Sequence, residues 1–207
     1  MVTPFNKLVL ASGNPGKLRE IEAVLTPMGI EVTPQSSLGI AEAEEPYRTF
    51  IENALTKARN ASRLARLPAL ADDSGICVHA LGGEPGVLSA RYAAIAGEVL
   101  ERDEQDRRNN LKLIQALREH DDRRAHYYCV IVLVRHAEDP EPVFAEGSWS
   151  GKIIFEPRGE NGFGYDPYFL LPDLNKTAAE IAPEQKNLVS HRGKALRRLM
   201  ARLKEAR

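Results

Sequence analysis

Two adjacent carboxylates, Asp72 and Asp73, stand between the apolar runs Leu67–Ala71 and Ile76–Leu81, and Ser74 and Gly75 follow at once. A fold that uses both runs as strands must take two charges towards its interior. A buried carboxylate is destabilising unless a cation or a full set of hydrogen bonds offsets its lost hydration. One solution is a divalent metal or a cationic partner beside the pair. The competing solution is a turn in which one aspartate caps the backbone through Ser74 and Gly75 while the other faces water. The pattern predicts two short strands hinged on the acidic pair, with the carboxylates at strand ends.

At 207 residues and 43% apolar composition the chain is long enough for one domain over residues 1–207, or two lobes sharing a sheet, without disulfide staples. The net charge of −1 gives no basic field for duplex nucleic acid or an anionic membrane, so neither is an expected partner. Cys77 and Cys129 lie far apart with no CxxC spacing. Free thiols in a reducing compartment are the first reading and a single bridge the second, which predicts a cytoplasmic protein. The opening MVTPFNKLVLAS has too short an apolar run for an export signal, and no stretch approaches a membrane span.

Lys7–Ala11 reads as a strand and SGNPGK as a turn into a helix that places Leu18, Ile21, Leu25 and Met28 on one face. Asn14 is the expected N-cap, Pro15 suits the first helical position and Gly29 the stop. Thr49 and Glu52 form a capping-box pattern for a helix running to about Arg66. Asp103–His120 predicts an amphipathic helix with Asn109 and Asn110 on a solvated side. Tyr127–Val134 reads as a central strand, and Val143–Ala145 and Ser150–Phe155 as strands around a GSWSG turn. Tyr168–Leu171, a TAAE capping box at Thr177 and Glu180, and a final helix capped by Ser190 complete a mixed α/β order.

Several segments carry chemistry. Ser12, Gly13, Asn14, Pro15, Gly16 and Lys17 combine open N–H groups at a helix start with one ammonium, which suits phosphate. The segment is not a Walker A loop, since Ala11 and Leu18 stand where glycine and Ser or Thr would be needed. Asp72 and Asp73 suit Mg²⁺, a hard cation that takes carboxylate oxygens and keeps waters for phosphates to join; Glu44 and Glu45 are candidates to complete the site. In GENGFGYDP, glycines flank Phe163, so that a flat ligand can approach the backbone and stack on the ring. SHRGK puts His191, Arg192 and Lys194 at a helix N-terminus, where cations want an anionic or carbonyl partner. Trp149 and His79 read as packing residues.

In this order, SGNPGK, TFIENALTKA, ADDSG, LGGEPGVLSARYA, GFGYDP, TAAE and SHRGKAL resemble the inosine/xanthosine triphosphate pyrophosphatase family, and in particular its bacterial enzymes for non-canonical purine nucleotides. The resemblance implies a long mixed central sheet dividing two lobes with the active site in the cleft, Mg²⁺ as cofactor and a homodimer. The implied activity is hydrolysis of XTP, ITP and dITP to the monophosphate and pyrophosphate. Carried over by position, Ser12–Lys17 would bind the triphosphate. Asp73 would be general base and metal ligand, and Glu44 the second metal ligand with Glu45 one position away. Ser74 would touch substrate, and Phe163, Gly164, Tyr165 and Asp166 would form the base pocket. Lys186, His191 and Arg192 would close over the base. Two alternatives remain at this level: a related pyrophosphatase for modified or pyrimidine nucleotides, and a non-catalytic nucleotide- or RNA-binding module. Adjacent carboxylates count against the module, because they repel a phosphate backbone unless a metal intervenes.

Overall fold

The acidic pair lies inside one continuous strand rather than at a hinge between two. In the computed structural model, which describes residues 5–205, β3 runs Ala69–Val78 straight through Asp72 and Asp73. The first residues of the segment read for an export signal lie outside the described range. Strands β1 (Lys7–Leu10), β2 (Glu31–Pro34), β3, β4 (Arg124–Val134), β5 (Val143–Ile153), β6 (Phe169–Leu171) and β7 (Lys176–Thr177) form one sheet ordered β2-β1-β3-β4-β5-β6-β7. Pairing is parallel on both sides of β1 and antiparallel on both sides of β6, so the sheet is mixed. The helices are α1 (Pro15–Leu25), α2 (Phe50–Ala65), α3 (Arg102–Ala116), α4 (Pro183–Val189) and α5 (His191–Glu205). None of the described helices is long and apolar enough to cross a membrane.

The chain divides into two compact units. One comprises the chain up to Asp73, Cys129–Gly147 and the chain from His191 onward; the other comprises Ser74–Tyr128 and Ser148–Ser190. Each has its own core. In the first, Leu8 and Leu10 of β1, Leu70 of β3 and Ile131 of β4 pack with Ile21 of α1 and Leu199 of α5. In the second, Ile76, Leu113, Tyr127, Trp149, Tyr165 and Phe169 pack together, with Trp149 and Tyr127 each close to the Phe169 ring.

Local chemistry sets the ends of the helices. Asn14, in extended conformation, accepts from the N–H groups of Gly16 at 2.9 Å and Lys17 at 3.2 Å, and Pro15 opens α1. The expected stop at Gly29 closes a short 3-10 turn after α1, in the left-handed conformation. Thr49 caps α2. Small Ala54, Ala58 and Ala61 are fully buried along that helix.

Two further expectations are corrected. GSWSG is no turn: β5 passes through it with alternating burial. Its glycines serve close approach instead. A Cβ on Gly147 would meet the His191 carbonyl oxygen at 2.1 Å, and one on Gly151 the Leu170 carbonyl oxygen at 2.6 Å. Asn109 and Asn110 are not solvated; both are buried on α3. Strand β2 and helix α4 had no counterpart in the sequence reading.

Candidate active site

Successive side chains of a strand leave by opposite faces. Asp72 therefore shares the face of Leu70, where α1 and α5 supply cations. Its Oδ2 lies 3.1 Å from Lys17 Nζ and accepts from Arg192 Nε and Nη2, each at 3.2 Å. Arg192 is itself fully buried, and its Nη1 donates to Glu20. Burial alone would raise the Asp72 pKa, but Lys17 and Arg192 outweigh it and hold the carboxyl well below its ordinary range.

Asp73 leaves on the other face, toward α2. Asn53 Nδ2 donates to its Oδ2 at 3.2 Å, and Lys57 Nζ donates to its Oδ1 at 3.3 Å, so residues one turn apart grip both oxygens. Asn53 also exchanges hydrogen bonds with the backbone of Tyr47, fixing the loop before α2. Lys57 Nζ bonds Glu45 Oε1 at 2.6 Å as well. Burial raises the Asp73 pKa; Lys57 and Lys17 oppose that rise, and the negative charges of Glu45 and Asp72 add to it. Burial would lower the Lys57 pKa, yet Asp73, Asp72 and Glu45 leave it raised.

Glu45 and Asp73 thus converge on one cation. Glu44, the residue carried over as a metal ligand, is exposed and lines a separate cavity of about 440 Å³ with Tyr47, Thr56, Arg59, Asn60 and Arg63. Among the described residues no cluster of three or more His, Cys, Asp or Glu is poised for a metal. A two-carboxylate set nevertheless fits Mg²⁺, which is commonly held by one or two carboxylates together with water and substrate phosphates. The N–H groups expected to be open in the SGNPGK turn all have partners: Ser12 donates to Leu10 O at 3.0 Å, Gly13 to Glu42 Oε1 at 2.8 Å, Asn14 to Ser12 Oγ at 3.2 Å, and Gly16 and Lys17 to Asn14. His191 is buried at the start of α5, where Gly147 lets β5 approach its carbonyl.

The second unit assembles the other predicted residues. Asp166 is buried; its Oδ2 accepts from Phe163 N–H at 2.9 Å and from Lys186 Nζ at 2.6 Å, and its Oδ1 from the Tyr127 hydroxyl at 3.1 Å. Gly162, at φ +82°, is required here, because a Cβ would lie 2.0 Å from Asp166 Oδ2. Lys186 Nζ stands 4.9 Å from the centroid of the Phe163 ring. Burial, and then Asp166, push the Tyr127 phenol well above its ordinary pKa, so it remains a donor. Tyr165 anchors its hydroxyl on Ser89 O at 2.8 Å. Ser74 is half-buried on β3. Cys77 and Cys129 are free thiols.

Sequence reading missed Asn53, Lys57 and Glu20. The signal for the first two was present in TFIENALTKA: two polar residues at i and i+4 on a helix whose other buried positions are small.

A model of the Ham1 family matches residues 8–202. The chain belongs to the Ham1 family. Among its relatives, a protein of Ralstonia nicotianae named dITP/XTP pyrophosphatase is 62% identical over 200 residues, covering 97% of this chain and 98% of its own. A protein of the same name from Nitrosomonas europaea is 62% identical over 201 residues, covering 97% and 96%. Among solved structures, a HAM1 protein from Coxiella burnetii has a TM-score of 0.85 at 44% identity, covering 96% of this chain and 98% of its own. The Ham1 protein of Staphylococcus aureus has a TM-score of 0.81 at 38% identity, covering 97% and 100%. This Ham1 chain thus shares its mixed sheet with solved members of the family.

Proposed function

We propose that this chain is a nucleoside triphosphate pyrophosphatase that hydrolyses XTP, ITP and dITP to the monophosphate and pyrophosphate. Carrying the reading is the split of the acidic pair: Asp72 is locked in its ionised form by Lys17 and Arg192, while Asp73 is held with a raised pKa beside Glu45 and Lys57. The names of relatives at 62% identity support the substrate class.

In this reading the turn Ser12–Lys17, chiefly through the Lys17 ammonium, binds the triphosphate. Asp73 accepts a proton from the water that attacks the α-phosphorus, and the bond from that phosphorus to the oxygen bridging the α- and β-phosphates breaks, releasing pyrophosphate. No covalent intermediate is needed. Mg²⁺ would be held by Asp73 and Glu45 and would neutralise phosphate charge. Ser74 touches substrate. Phe163 stacks the purine within the turn Phe163–Asp166, and Lys186 and His191 are the N–H donors assigned to the base, the Arg192 guanidinium being already held by Asp72 and Glu20. Donors aimed at a 6-oxo group meet the amino group of adenine as a mismatch, which discriminates by roughly 10⁴ when the site is built around that hydrogen bond. The reading includes a homodimer in the cytoplasm.

A nucleotide panel with orthophosphate and pyrophosphate detected separately tests the proposal. Mg²⁺-dependent pyrophosphate release from ITP and XTP is expected, with ATP and dTTP poor. Comparable turnover of all four, or orthophosphate as first product, would overturn it. Asp73→Asn is expected to abolish turnover while calorimetry still detects ITP binding.

A further inference from the structure

Helix α3 was expected to show water a polar face that includes Asn110, yet its side chains at positions 106 and 110 turn inward to the glycine-aromatic turn. Asp106 Oδ2 accepts from the Gly164 N–H at 3.0 Å, and Asn110 Nδ2 donates to the Gly164 carbonyl oxygen, also at 3.0 Å. The same amide donates to the carbonyl of Asp106 at 2.8 Å, tying the two residues together one turn apart. Both backbone polar groups of Gly164 are therefore held from α3. Gly164 has φ +62°, a left-handed conformation that the chain must be held in. The N–H of its neighbour Phe163 donates to Asp166 Oδ2, three residues further on.

α3 is itself anchored. Asn109, beside Asn110, donates to the carbonyls of Ser89 at 3.3 Å and Ala90 at 3.1 Å and accepts from Ala93 N–H at 2.8 Å. The Ser89 carbonyl also takes the Tyr165 hydroxyl. Arg102, one turn before Asp106, places its guanidinium 5.7 Å from the Phe163 ring centroid. The turn and the helix are thus joined on both sides of Phe163, through backbone at Gly164 and through the ring.

We infer that Asp106 and Asn110 are positioning residues that set the orientation of Phe163 for the nucleobase. This inference rests on the reading that Phe163 stacks the base. The pair touches neither phosphates nor reacting atoms, so its loss acts on binding of the base and not on the chemical step. Removing a hydrogen bond to a charged acceptor weakens an interaction by enough to change an equilibrium roughly 10-fold or more.

The test is steady-state kinetics of Asp106→Ala, Asp106→Asn and Asn110→Asp with ITP, beside Phe163→Ala. Asp106→Ala is expected to raise KM for ITP about 10-fold with kcat within about twofold, since one charge-assisted hydrogen bond is lost. Asp106→Asn, whose side-chain oxygen still accepts from Gly164, is expected to return KM to within about threefold of the parent chain. Asn110→Asp, which cannot donate to the Gly164 carbonyl, is expected to raise KM as Asp106→Ala does, and it carries the test if the alanine variant does not fold. An unchanged KM, a loss confined to kcat, or an Asn variant as impaired as the Ala variant overturns the inference. Phe163→Ala separates the two levels. If its KM is unchanged, the stacking reading fails; if its KM rises while the Asp106 and Asn110 variants match the parent chain, only the positioning inference fails.

Discussion

Asp72 and Asp73 are neighbours in the chain whose side chains meet different partners, because extended backbone sends them to opposite faces. The first answers to α1 and α5, the second to α2, and their pKa values move apart accordingly. Paired titratable groups pushed in opposite directions are a mark of divided labour between a fixed charge and a base. The same scale holds a residue that works against the proposed substrate. Glu42 is exposed, and its carboxylate accepts the Gly13 N–H that an incoming phosphate would use. Glu42→Ala removes both the competitor and a repelling charge, so KM for ITP should fall by roughly 2- to 5-fold, the scale of one hydrogen bond at a hydrated site. Turnover at saturation should not change. Initial rates across an ITP series check this, and an unchanged or higher KM would show that the Gly13 amide does not engage the substrate.

Elements carry their own tests, and the connection between β4 and β5 offers one that is independent of substrate. Asp139 is buried there and accepts from the N–H groups of Arg135 at 2.8 Å and Glu141 at 3.0 Å, and from Arg135 Nε at 2.9 Å. The Arg135 hydrogen bonds hold its carboxyl well below the ordinary carboxylate range. A folded-state pKa below the unfolded value means stabilisation that is present above the unfolded value, about 4, and lost as pH falls toward the folded one. Asp139→Asn is expected to lower stability by about 1.5–3 kcal/mol at pH 7, the range for hydrogen bonds to a charged group. The gap between parent and variant should narrow below about pH 4. Urea unfolding at several pH values measures it, and a gap that widens in acid contradicts the assignment. Legibility also divides at this scale. Caps and apolar faces were readable, as Asn14, Pro15 and Thr49 show, because they depend on residues a turn apart. The strands β3 and β5 were misread, because Asp-Asp and Gly-x-x-x-Gly mean turn or strand according to partners distant in sequence: Lys57 and Arg192 in one case, the His191 and Leu170 carbonyls in the other.

At the scale of the molecule the motifs were legible as a set, since their order along nearly the whole chain carries more information than any one of them. What the residues alone did not reveal was their allotment between two separately cored units, or that Glu45 rather than Glu44 meets Asp73 through Lys57. Such pairings depend on tertiary packing and leave no periodic trace. In the proposed function Ser12–Lys17 bind the phosphates and Phe163 stacks the base, so fragments of the substrate should stabilise the protein through different residues. A ligand at about 100 times its Kd adds about 2.7 kcal/mol to folding stability, which for a chain of this length shifts Tm by roughly 5–10 °C. Tripolyphosphate with Mg²⁺, and inosine alone, should each raise Tm of the parent chain in differential scanning fluorimetry. Lys17→Met should abolish the tripolyphosphate shift and keep that of inosine, whereas Phe163→Ala should do the reverse. Loss of both shifts in either variant, or of neither in both, would mean that phosphate and base recognition are not divided between these two residues.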